Sequence, residues 1–134
     1  MSAGTIDLLL LIGRILYGGF FLISGVNHFA KSSSYKQYVS SKGIPAPGLA
    51  VLGSGLLILL GGLSVLLGIW PYVGLLLIAS FLVGTTSAMH AFWKASEPMA
   101  KMMDQINFMK NIALLGAAFA MVAIPQPWPL TLGH

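Results

Sequence analysis

Cysteine is absent, and carboxylates are scarce, with three Asp and Glu among 134 residues. Without thiols there are no disulfides, no thiol redox chemistry and no cysteine-ligated iron–sulfur clusters. Cysteine usage therefore says nothing about the redox compartment. Charge of either sign is thin: 7% of the chain is charged and 57% hydrophobic, against roughly 25% charged in soluble domains. Seven basic and three acidic side chains cannot cover a water-facing surface, so a lipid bilayer must supply most of the surroundings. The formal charge of +4 comes without any basic run. All the basic residues but Arg14 sit at or near the ends of apolar segments, which fits membrane topology and excludes a nucleic-acid partner. No Lys or Arg precedes the first apolar run, and Asp7 and Arg14 lie within its first half. That run reads as a retained helix rather than a cleaved signal.

What is present is four long apolar runs, over residues 6–29, 49–69, 72–93 and 105–124. At ~1.5 Å rise per residue, each is long enough for a ~30 Å hydrocarbon core. Lipid offers the backbone no hydrogen bonds, so the runs must be helices. "GIWPYVG" leaves so short a connection between the second and third runs that they must form an antiparallel hairpin, and its Trp70 and Tyr72 suit the lipid–water boundary. "KGIPAPG" bars any helix from running into the second span. The tail 125–134, "PQPWPLTLGH", is expected to be extended and nonhelical. The fold class is therefore all-α: a transmembrane antiparallel four-helix bundle forming one membrane domain, 1–134.

Two further elements are read from spacing. In the first loop, Tyr35, Tyr38 and Val39 recur at helical intervals, and a short interfacial helix and a plain polar loop fit equally well. In span three, Ser80, Gly84 and Ala88 form a stripe of small residues of the kind that lets membrane helices approach closely. Lys31, Lys36 and Lys42 occupy the first loop, and Lys94 and Lys101 the third. Loops 31–48 and 94–104 are therefore expected in the cytoplasm, with both termini outside.

Polar groups inside spans are costly and need a reason. Asp7, Arg14, Tyr17, Ser24 and His28 share roughly one face of span one. Arg14 has two readings: it snorkels to the outer interface or pairs with Asp7, or it forms a separate outer-leaflet polar site that binds a ligand's anionic or carbonyl group. At the other end, His28 closes span one, His90 closes span three, and Asn107, Lys110 and Asn111 open span four. Alternating spans bring these ends to one leaflet, and with Trp93 they could form a small polar pocket. Arg14 and His28 are about 21 Å apart along the helix, so Arg14 does not belong to that pocket. The rival reading for the two histidines is an interfacial cap with no chemistry. No metal site is expected, since no HExxH, ExxH or cysteine supplies further ligands, and haem is disfavoured for the same reason. A quinone fits better as a cofactor, with its carbonyls on His or Asn and its ring on Trp93, and a histidine could pass it a proton. In "WKASEPMAKMMDQINFMKN", Ser96 reads as a helix cap and Pro98 as first-turn proline. Met99, Met102, Met103 and Ile106 then read as an interfacial extension of span four, helix packing explaining the spacing better than copper.

"GRILYGGFFLISGVNHF", "YVSSKGIPAP", "LLGGLSVLLG", "HAFW" and "FMKNIALLGAA", in that order, make the chain resemble the DoxX family of small four-span membrane proteins. "NHF" departs from the lysine-bearing "GLGKL"-like pattern of many relatives. The resemblance implies a four-helix membrane bundle associated with respiratory or sulfur redox enzymes, including thiosulfate:quinone oxidoreductase. It points first to Arg14, His90, Trp93, Lys110 and Asn111. The expected function is an accessory or quinone-interacting subunit of a membrane redox complex, with a protein partner or a second copy beside it. The alternative is a noncatalytic scaffold or assembly factor. A transporter is less supported, because no inverted repeat with broken helices is present.

Overall fold

The computed structural model describes residues 1–132. Five α-helices follow one another: α1 (Ala3–Ala30), α2 (Ser32–Ser41), α3 (Pro47–Leu67), α4 (Pro71–Met89) and α5 (Pro98–Val122). A single 3-10 turn, Phe92–Lys94, lies between the last two. All but α2 are long and apolar enough to cross a membrane, giving the expected all-α bundle. Large apolar side chains point outward all round it: Leu16 is 70% exposed, Leu76 65% and Phe119 64%. Water would not tolerate so continuous an apolar surface, whereas lipid tails do.

The helix ends are set locally. Ser2 caps α1 by accepting from the Thr5 N–H at 3.2 Å. Pro47 and Pro71 start α3 and α4, where a missing N–H costs nothing. Gly68, at φ 71°, ends α3 in the left-handed conformation that glycine adopts freely. Ser64 ties the tight turn to α4 by donating to the Ile69 carbonyl at 2.6 Å. At α5 the expectation needs correcting. The cap is Glu97, not Ser96: its carboxylate accepts from Met99 N at 3.1 Å and Ala100 N at 2.7 Å. Two acceptor oxygens and a negative charge suit the positive helix end better than one hydroxyl. α5 therefore starts at Pro98, and the methionine stripe belongs to it, exposed. Glu97→Ala is expected to fray this first turn at about 1 kcal/mol, visible as faster hydrogen exchange at the amides of Met99 and Ala100.

Packing begins with α1 against α3, the most extensive helix pair. Gly18 on α1 meets Gly62 on α3, while Gly25 on α1 lies against Leu59 and Gly55 on α3 lies against His28, the two glycines of each helix being seven residues apart. A Cβ on Gly62 would lie 2.7 Å from Gly18 O, so the backbones all but touch. α4 packs on α3 and α5 on α4. α1 reaches α5 through a long side chain, Tyr17 donating to Leu114 O at 2.8 Å. Phe21, Ile58, Ile78 and Leu82 fill the centre. The Ser80/Gly84/Ala88 stripe does not make a helix contact. All three residues are exposed, and a Cβ on Gly84 would meet nothing within 4 Å. The buried face of α4 is instead Leu75, Ile78, Leu82, Thr86 and Met89.

The first loop is a helix, α2, lying across the ends of the spans with no fully buried residue. The tail is nonhelical, as expected, but it does not run extended. It doubles back under the opposite end of the bundle, where Trp128 is 3% exposed and Leu132 N donates to Leu67 O at 3.1 Å. Residues 133 and 134 of the expected tail lie outside the described residues.

Candidate functional site

Chain reversal places the end of α1, the start of α3, the end of α4 and the start of α5 at one end of the bundle, with α2 over them. A cavity of about 380 Å³ lies there. Its wall comes from every helix: His28 from α1, Tyr35, Tyr38 and Val39 from α2, Val51 and Ser54 from α3, Phe81, Thr85 and Met89 from α4, His90 just past it, and Asn107 from α5.

His28 is held by its own helix, with Nδ1 2.7 Å from Ser24 O. Its ring meets Tyr35 edge-on, centroids 4.7 Å apart. It fits because α3 has Gly55 opposite, where a Cβ would come within 2.6 Å of the His28 Cβ. His90 caps α4 and is 9% exposed. Its Nδ1 lies 3.5 Å from Asp104 Oδ1. The other carboxylate oxygen takes a short ion pair, 2.6 Å, from Lys42 at the end of α2. Lys42 thus fastens the covering helix to α5, and Asp104, 4% exposed, is the shared anion between an ammonium and an imidazole. A buried carboxylate needs such partners.

A second, more polar hollow of about 550 Å³ adjoins the first through Tyr38 and Met89. Lys42, Lys94, Glu97 and Asp104 line it. The His90–Asp104 contact therefore stands between a mainly apolar chamber and a charged one. Thr86, one turn before His90, is buried with its hydroxyl unpartnered.

Of the expected pocket residues, His28, His90 and Asn107 line the cavity together. Trp93, Lys110 and Asn111 do not. Trp93 is 57% exposed and packs on Phe108 at 5.9 Å, because the chain leaves α4 through the 3-10 turn rather than continuing the helix that would have aligned it with His90. The aromatic wall is Tyr35, Tyr38 and Phe81 instead. Lys110 lies outside, over the Phe20 ring at 5.6 Å and 3.4 Å from Asn107 Oδ1. Asn111 is buried but lines no part of the chamber. Spacing gives no signal for Lys42, whereas Asp104 shares a face with Asn107 and Asn111 and is an acid at the start of a span.

Arg14 is 1% exposed at the far end of the bundle. It neither snorkels nor forms an ion pair with Asp7 among the described residues. Its guanidinium donates to Val65 O (3.2 Å), Leu66 O (3.0 Å), Pro129 O (2.7 Å) and Leu130 O (3.2 Å). These are carbonyls at the end of α3, where the helix has no internal donors, and in the folded-back tail. Trp128 stacks nearby, 6.0 Å from ring centroid to Arg14 Cζ. Arg14 is a clamp. Among the described residues, no three of His, Cys, Asp or Glu gather as a metal site.

The chain is 30% identical over 124 residues to Inner membrane protein YphA of Escherichia coli (strain K12), covering 92% of this chain and 87% of that one. No solved structure matches it. The DoxX family model matches residues 9–91, which carries His28, Lys42 and His90 but stops before α5. That match spans more than half the chain and three of its four membrane helices, so this multi-pass inner-membrane protein belongs to the DoxX family.

Proposed function

We propose that this protein is a quinone-interacting accessory subunit of a membrane redox complex, its cavity facing the cytoplasmic leaflet. The observation carrying the reading is the convergence of two imidazoles, an amide and two phenols on one chamber beneath α2. About 380 Å³ is room for a substituted six-membered ring, within the usual range for small-molecule sites. Val39, Val51, Phe81 and Met89 give the ring apolar faces, and the polar groups serve its oxygens. Lys31, Lys36, Lys42, Lys94 and Lys101 lie at this end, which by the positive-inside tendency is cytoplasmic.

The test is purification in mild detergent, extraction of bound quinone, and titration of the emptied protein with a short-chain benzoquinone and with its hydroquinone. For whichever of the two forms binds tighter, His28→Ala and His90→Ala are each expected to weaken binding about tenfold or more. Absence of binding, or unchanged affinity in both variants, would discard the reading. A scaffold role has its own support: α5 buries only Asp104, Asn111 and Ala118 and leaves Met99, Met102, Met103, Ile106 and Met109 outward for a partner. A stoichiometric partner whose activity survives His90→Ala would favour that role.

A further inference from the structure

Hydrogen-bond polarity separates the ring ligands this cavity would take more sharply than size does. The Ser24 carbonyl can only accept, so at 2.7 Å the His28 Nδ1 must carry the hydrogen. In the neutral ring that leaves Nε2 as a bare lone pair. The same logic holds at His90. Asp104, paired with Lys42 at 2.6 Å, is an ionised acceptor, and it favours hydrogen on the His90 Nδ1 that faces it at 3.5 Å. At that length the hydrogen bond is loose, but the negative charge still selects the tautomer. Neither Nε2 has a hydrogen-bond partner among the described residues. The two histidines that line the cavity thus each keep one acceptor nitrogen, Nε2.

The remaining polar groups do not reverse this. Ser54 spends its hydrogen on Val51 O. Asn107 gives one amide hydrogen to Met103 O, keeping a second, and its oxygen faces Lys110. The hydroxyls of Tyr35, Tyr38 and Thr85 can turn to donate or accept. A carbonyl-bearing ring would find donors in Asn107 and these hydroxyls, yet both imidazole lone pairs would stay unpaired. A ring bearing hydroxyls can donate to such lone pairs and can still accept from Asn107.

We infer that this site selects the hydroxyl-bearing, reduced form of a ring ligand, a hydroquinone, over the matching quinone. The inference rests on the cavity being a ring-binding site, as proposed above. Asp104 is then a positioning residue, acting through His90.

The test uses the full chain in mild detergent, anaerobically, at about pH 8, above the ordinary imidazole range. Tetramethylhydroquinone, tetramethylbenzoquinone and the dimethyl ether of the hydroquinone are titrated by calorimetry. The hydroquinone is expected to bind at least about tenfold tighter than the other two, since each lacks the O–H groups and would leave the imidazole acceptors unpaired. Asp104→Asn should narrow that ratio, because an amide can donate to Nδ1 and permit the other tautomer. If that variant does not fold, the wild-type ratio decides. Equal binding of quinone and hydroquinone, or of ether and hydroquinone, overturns the polarity inference and leaves the cavity reading standing. No binding of any of the three overturns both.

Discussion

Gly62→Ala is expected to drive α1 and α3 apart and to destabilise the bundle by about 3 kcal/mol, near the upper end for overpacking. The added Cβ would lie 2.7 Å from Gly18 O and 2.7 Å from Leu22 N. Both are backbone atoms of a helix, and neither can swing aside as a side chain would. Lipid adds no compensating drive, since tails solvate apolar surface as well as leucine does, and close backbone approach is what holds such helices together. Gly62→Leu should yield little folded protein. The control is Gly84→Ala, exposed and with open space around its Cβ. It should be neutral within about 0.5 kcal/mol, or slightly stabilising through helix propensity. Thermal denaturation in detergent, followed as loss of the monodisperse peak, compares the two. Equal melting of Gly62→Ala and Gly84→Ala would contradict the contact.

Arg14→Leu should cost on the order of 3–5 kcal/mol, the range for removing one member of a buried ionic or hydrogen-bonded network. Four carbonyls lose their donor at once, two at the end of α3 and two in the tail. The tail would keep the Leu132–Leu67 backbone bond and the apolar contacts of Trp128. Arg14→Lys preserves charge, but a point ammonium cannot span the four acceptors as a planar fork does, so most of the loss should remain. Two readouts separate clamp from bulk: the melting temperature, and the rate at which protease cuts within the tail. A tail that stays protected in Arg14→Leu would remove the clamp from the account.

Much of the bundle was legible because its signals are local. Hydropathy marks spans whatever surrounds them, and Pro47, Gly68 and Pro71 punctuate helices through their own φ restrictions and missing N–H groups. The pairing of ends was also legible, since chain reversal in a bilayer allows one arrangement of alternating spans. This placed His28 and His90 at the same end, where the structure adds that they share a chamber. The α2 helix stayed ambiguous because ten residues carry too little amphipathic signal to outweigh a polar loop. Small-residue spacing misled at Ser80, Gly84 and Ala88, since spacing identifies a smooth helix face but not which way the face turns. Between α1 and α3, the glycines in close contact with the facing helix, Gly18 and Gly25 on one and Gly55 and Gly62 on the other, repeat at seven rather than four.

Composition and periodicity sufficed for the solvent, the number of spans and their alternation, because transfer of an apolar helix into lipid depends on that helix alone. They were silent on Arg14 meeting Pro129 across 115 residues and on Lys42 meeting Asp104 across 62. Such partners are set by how deeply α1 sits against α3, how the tail folds back and where α2 comes to lie. Those are properties of packed backbones at near contact, and no stretch of chain short enough to read as a pattern contains both members of the pair.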